Sequence, residues 1–222
     1  MDLIFCFDID GTLLSTSGAG TRSFKRAIQS LFNTEPDWSS ISMAGRVDTG
    51  IFKDILNSIG EYYSFDLWNK FKSLYINYLE EEIYRSDFIV FDGVFDFLKK
   101  LDKYDKILLT GNIREGARIK LDFKNLSVFF DWERSVFGDE AEYLRDELSV
   151  SFKNKNPNKI PVIIGDTPLD IKLAKLVGGL SIGVTTGIHS ESELSSCYPD
   201  FIVKRLDEID ISEVVEKTYL KL

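Results

Sequence analysis

Apolar and polar positions alternate between two grammars along this chain. Leu3 to Phe7 is an unbroken apolar run of the kind found in a central parallel strand buried on both faces, and it ends at Asp8-Ile9-Asp10-Gly11. Three stretches of helical period follow. The first places Phe24, Ala27, Ile28, Leu31 and Phe32 on one face, and the second Ile51, Phe52, Ile55, Leu56 and Ile59 with a stop at Gly60. The third, with Ser64 as its N-cap, carries Leu67, Trp68, Phe71, Leu74, Tyr75, Tyr78 and Leu79, a stripe that reads as helix core. From Ile89 onward strands and helices alternate, with strands expected at 106–109, 135–137, 161–164, 180–184 and 201–203. That order predicts an α/β fold, a doubly wound Rossmann-like parallel sheet with helices on both faces, and a small all-α segment inserted after the first strand. The boundaries expected are 1–15 and 89–222 for the α/β core and 16–88 for the helical insert.

Composition narrows the function classes. The 222 residues are 44% hydrophobic, enough for a sizeable core, and a formal net charge of -9 speaks against nucleic acid or an anionic membrane as partner. A small ligand fits better. Cys6 and Cys197 make no disulfide framework, and the chain begins without a secretory leader or a bilayer-spanning apolar stretch, so a cytoplasmic location is expected. The single His189 rules out a histidine-rich metal site and reads as a loop residue.

The candidate chemistry sits at strand ends. Parallel strands would bring Asp8 and Asp10, then Thr110-Gly111-Asn112, then Asp166 and Asp170, to one edge of the sheet, where open α/β sheets place their sites. Hard carboxylate and carbonyl oxygens suit magnesium, which also keeps phosphate oxygens in its shell. Pro168 fits the first turn of a helix, so Asp166 and Asp170 lie one turn apart.

On these residues the chain resembles the haloacid dehalogenase superfamily, in its phosphoglycolate-phosphatase-like and β-phosphoglucomutase-like subgroup with a helical cap. Phe7-Asp8-Ile9-Asp10-Gly11-Thr12-Leu13 looks like the first motif, Leu109-Thr110-Gly111-Asn112 the second, and Gly165-Asp166-Thr167-Pro168-Leu169-Asp170 the acidic fourth. The resemblance implies a Mg2+-dependent phosphatase acting through an aspartyl-phosphate, with a small phosphorylated metabolite as its partner. Asp8 would be the nucleophile and Asp10 the general acid and base. Asp8, the Asp10 carbonyl and Asp166 would hold Mg2+, with Asp170 supporting or as an alternate ligand. Thr110, with the Gly111 and Asn112 amides, would hold phosphoryl oxygens.

The third motif departs from the usual lysine, because no Lys-Pro pair precedes the fourth strand. Arg145 is the choice for that place, with Lys153 and Lys155 as runners-up. Residues 16–88 would form the cap, and Met43-Ala44-Gly45-Arg46-Val47-Asp48 its specificity loop. There Arg46 would grip an anionic part of the substrate, and Asp48 would position Arg46 or cap the following helix. Lys120 is expected on the surface of its helix. Two other functions fit less well: a β-phosphoglucomutase-like phosphomutase, and a receiver-like signalling or binding module that accepts a phosphoryl group without turnover.

Overall fold

The computed structural model describes residues 2–34 and 36–221; Met1, Glu35 and Leu222, which the expected core and insert boundaries include, lie outside the described residues. The chain opens with β1 (Leu3–Phe7), every residue of which is buried, as its all-apolar sequence requires. A two-residue strand, β2 (Leu14–Ser15), leads to α1 (Ala19–Phe32), α2 (Asp48–Ser58) and α3 (Phe65–Arg85). Then come β3 (Ile89–Val90), α4 (Val94–Lys100), β4 (Asp105–Leu108), α5 (Arg114–Asp122) and α6 (Leu148–Lys155). The chain ends with β5 (Ile160–Gly165), α7 (Pro168–Leu176), β6 (Leu180–Val184), α8 (Glu191–Ser196), β7 (Phe201–Val203) and α9 (Ile211–Lys221).

The main sheet is five-stranded and parallel, in the order β4-β1-β5-β6-β7, with Phe7 opposite Leu108 on one side and Ile164 on the other. From β1 the chain moves first to β4 and then returns to β5 on the other flank. The topological switch point therefore falls at the carboxyl end of β1, where the crevice between diverging connections opens. Asp8 is the first residue past that end.

Two segments of the strand-helix alternation stand apart from the main sheet. Ile89–Val90 does not join the main sheet but pairs antiparallel with Leu14–Ser15, tying together the two chain segments that enter and leave the helical insert. Residues 135–137 contribute only one parallel bridge, Val136 to Leu109, because the turn at 131–134 and the 3-10 turn Gly138–Glu140 leave no length for a strand. The edge is extended by that single pairing.

In the insert, α1 lies along α3, and Ser64 caps α3 by accepting the Leu67 N–H at 3.2 Å. The aromatic stripe packs inward: Phe71 stacks on Phe52 with ring centroids 4.5 Å apart and on Tyr75 at 5.8 Å. Each such buried ring contributes roughly 1.5–3 kcal/mol. One apolar cluster runs without a break from Phe5 and Phe7 of the sheet to Phe52, Phe71 and Tyr75 of the insert. No helix among the described residues is long and apolar enough to cross a membrane.

Candidate active site

A cavity of about 490 Å3 lies between the carboxyl ends of the strands and the insert, and Asp8, Asp10, Gly111, Asn112, Arg145 and Asp166 all line it. Asp8 is 4% exposed; its Oδ1 accepts from the Arg145 guanidinium at 3.0 Å. The same Arg145 nitrogen reaches Asp170 Oδ1 at 2.5 Å and the Leu109 carbonyl at 3.1 Å. Its other terminal nitrogen donates to the Gly45 carbonyl at 3.2 Å, while the buried Nε finds no partner among the described residues. Burial alone would discourage the guanidinium charge, but Asp170 and Asp8 outweigh it and hold Arg145 firmly protonated. The runners-up lie elsewhere: Lys155 bonds Glu140 at 2.7 Å, and Lys153 is exposed on α6.

Oxygens of Asp8, Asp166 and Asp170 lie within 4.8 Å of one another. Burial, with the charges of Asp8 and Asp170, drives the Asp166 carboxyl well above the ordinary carboxylate range. Asp170 moves the same way through burial, with Arg145 opposing. Such a cluster of hard oxygens, short of positive charge, fits a divalent cation. The backbone makes room for it: a Cβ at Gly11, which sits at φ +81°, or at Gly187 would overlap the Asp166 carboxylate. Thr12 Oγ1 steadies Asp166 at 3.2 Å. Asp170 is less free, since its Oδ2 closes a capping box with the Thr167 N–H at 3.1 Å and hydroxyl at 2.7 Å, and Pro168 starts α7. Its oxygens are committed to Thr167 and Arg145, which favours a supporting role over direct ligation.

Asp10 faces the cavity with its carboxylate half exposed. Its Oδ2 accepts from Lys120 Nζ at 2.6 Å and Asn112 Nδ2 at 2.9 Å, and Lys120 also donates to Asn112 Oδ1 at 2.6 Å. Lys120 is thus not on the helix surface, as expected from sequence, but 3% exposed inside the site. The sequence did carry a signal for this. On α5, Lys120 shares a stripe with Ile113, Gly116, Ala117 and Leu121, all buried, and a lysine in an apolar stripe requires a buried partner.

Thr110 is fully buried, and its Oγ1 accepts from Asn112 Nδ2 at 2.9 Å, so it stands behind the cavity surface rather than on it. The loop before α2 docks onto these strand ends. Asp48 N–H donates to the Gly111 carbonyl at 2.9 Å, Asp48 Oδ2 accepts from the Ile113 N–H at 3.0 Å, and Thr49 Oγ1 donates to the Gly138 carbonyl at 3.1 Å. Asp48 therefore neither positions Arg46 nor caps a helix from outside; α2 begins at Asp48 itself, and its carboxylate serves α5 instead. Burial pushes Asp48 up to about 6, with Lys120 and the Ile113 amide pulling the other way. Arg46 lines the cavity, but its guanidinium pairs with Asp54 at 2.5 Å and lies over the Tyr143 ring at 5.6 Å.

With this geometry in hand, known proteins give a consistent picture. Residues 142–209 match the family model described as HAD-hydrolase-like. A Clostridium perfringens protein carrying the pyrophosphatase name PpaX is 27% identical over 221 residues, covering 95% of this chain and 96% of that one. Among solved structures, a HAD hydrolase of family IA, variant 3, from Entamoeba histolytica superposes with a TM-score of 0.73 at 19% identity, covering 97% of this chain and 98% of that one. A Bacteroides vulgatus structure bearing the name β-phosphoglucomutase gives 0.66 at 18% identity, covering 99% of this chain and 88% of that one. The chain is thus similar to haloacid dehalogenase-like hydrolases, through a family model over residues 142–209 and through relatives named as phosphatases over most of its length. Its site and these likenesses are those of an enzyme of the phosphatase kind.

Proposed function

We propose that this enzyme hydrolyses a small phosphomonoester through an aspartyl-phosphate on Asp8, with magnesium as its cation. The observation that carries the reading is the placement of Asp8, buried between Arg145 and the Asp166–Asp170 pair yet open to the same cavity as Asp10. Asp8, Asp166 and the Asp10 backbone carbonyl would hold the cation, with Asp170 behind them. When bound, it neutralises the carboxylates and the phosphate dianion that would otherwise repel each other.

The steps follow from the chain's own groups. An Asp8 oxygen attacks phosphorus while the ester oxygen departs, and Asp10 gives that alkoxide its proton. Water then attacks the aspartyl-phosphate; Asp10 takes its proton, phosphate leaves, and the Asp8 carboxylate returns. Lys120 and Asn112 hold Asp10 in line through their hydrogen bonds. The Gly111 and Asn112 amides, with Thr110 packed behind them, form the cradle for the transferred oxygens. In this reading residues 16–88 act as a cap on a core of 1–15 and 89–222, and the cap keeps bulk water off the intermediate. The signalling alternative gains no support from a strand-tip site roofed by an insert and furnished with a held acid at Asp10.

The test is phosphate release from 4-nitrophenyl phosphate with magnesium, after chelation by EDTA, and in Asp8→Asn. Release that stops with EDTA, returns with magnesium and is lost in the variant is the expected result; an active, purified Asp8→Asn would sink the reading.

A further inference from the structure

The cavity's charges say what kind of leaving group it takes. Three cations line it, and each is already paired: Arg145 with Asp8 and Asp170, Lys120 with Asp10 at 2.6 Å, and Arg46 with Asp54 at 2.5 Å. Asp48 adds a further buried carboxylate to the same wall. Among the described lining residues, therefore, every cation already has a carboxylate partner, and a second anionic group would have to share one. The wall toward the insert is made instead by Phe24, Met43, Ile51 and Tyr75, with Phe91 of the core beside them.

Tyr75 adds a specific feature. It is 2% exposed and lines the cavity, yet its hydroxyl has no hydrogen-bond partner among the described residues. A Cβ built on Gly20 would lie 3.8 Å from that hydroxyl and 3.4 Å from Lys120 Nζ, so the hydroxyl and the Lys120 ammonium flank the same glycine, beside the Asp10 machinery. The hydroxyl opens on the cavity, so its donor is available to a substrate acceptor atom placed there.

Resting on the phosphatase reading above, we propose that the substrate's leaving group is an uncharged alcohol whose body carries a further oxygen that accepts a hydrogen bond from Tyr75. Phosphoglycolate, pyrophosphate and sugar bisphosphates each bring a second anion to a wall of carboxylates and occupied cations. Like-charge contact and an unpaired buried charge reject them.

The experiment compares kcat/KM for isosteric esters on the magnesium-loaded enzyme. 2-Hydroxyethyl phosphate differs from phosphoglycolate by a hydroxymethyl group in place of a carboxylate, and ethyl phosphate lacks the acceptor altogether. The wild type is expected to prefer 2-hydroxyethyl phosphate over phosphoglycolate by roughly tenfold or more. Tyr75→Phe, which removes a hydroxyl that has no hydrogen-bond partner among the described residues, should lower kcat/KM about tenfold for 2-hydroxyethyl phosphate and leave ethyl phosphate within about threefold. Asp54→Asn, which frees Arg46, should raise turnover of phosphoglycolate. Phosphoglycolate or pyrophosphate hydrolysed better than the neutral ester, or Tyr75→Phe depressing both neutral esters alike, overturns the inference while leaving the phosphatase standing. No phosphate from any ester, 4-nitrophenyl phosphate included, overturns the phosphatase reading and the inference together.

Discussion

The two walls of the cavity are built on opposite principles. On the sheet side, Asp8, Asp166, Asp170 and Arg145 are charged, almost fully buried, and each held by another member of the group or by a neighbouring hydroxyl or amide. On the insert side, Phe24, Ile51 and Tyr75 belong to an apolar cluster continuous with the rest of the insert, and the one polar tip among them has no hydrogen-bond partner among the described residues. The first wall is organised for a reaction, because preorganised charge in a dry site acts on a transition state without reorganising. The second is organised for a shape, and shape discriminates by modest increments. Changes on the sheet wall should therefore act on turnover and folding together, and changes on the insert wall mainly on which ester is used.

The sharpest way to break that contrast is Arg145. Removing it leaves Asp8 and Asp170 facing each other without their shared cation, a loss of about 3–5 kcal/mol for a broken buried pair. Arg145→Ala is expected to lose activity and to unfold at markedly lower denaturant than wild type. Arg145→Lys keeps the charge but not the fork, so it can meet Asp8 and Asp170 but not also the Gly45 carbonyl on the insert's loop. It should restore most of the stability while kcat stays depressed. Equal stability of Arg145→Ala and wild type in a urea titration would show that the sheet wall is not held by this residue.

How much of this was legible before any coordinates follows the same division. The apolar run Leu3–Phe7 and the acids after it announce a buried strand and its tip because they are contiguous. The strand-helix alternation after Ile89 was enough to place Asp8, Asp10 and Asp166 on one edge. The contacts that sequence reading missed depend on how the chain folds back on itself. Lys120 meets Asp10 across 110 positions, and Arg46 turns back to Asp54, eight positions on and nearly two turns into α2. The Tyr75 stripe was correctly expected to be core, but periodicity does not report that a ring's hydroxyl opens on a cavity.

Lys120 tests whether the sheet wall extends to α5. Lys120→Met retains the stem's volume and removes the bond to Asp10, leaving Asn112 as its remaining anchor. Misplacing a proton donor by a fraction of an ångström to one ångström lowers turnover about 10- to 100-fold. The fall is expected in kcat with KM little changed, and it should be largest for esters with poor leaving groups, which depend most on protonation. A fall confined to KM would move Lys120 to substrate binding and out of the Asp10 assembly.

Asp48 sits where the walls meet, and its effect should be the smallest and the most dependent on pH. Its carboxyl is raised from an ordinary 3.8 to about 6 in the folded protein, chiefly by burial. The folded state thus binds its proton more tightly than the unfolded chain does. The resulting stabilisation is complete below about pH 4 and is lost as pH rises through 6, a difference on the order of 3 kcal/mol. Asp48→Asn removes the ionisation, yet its amide oxygen can still accept the Ile113 N–H. At pH 7.5 the variant should melt roughly 5–10 °C higher than wild type, and at pH 4 the two should melt together. Arg145 keeps its charge throughout that range, so the pH-dependent part of the difference belongs to Asp48 and its burial between α2 and α5. A melting difference that persists unchanged at pH 4 would mean that the Asp48 side chain acts through packing, and that the insert's docking loop carries no buried charge of consequence.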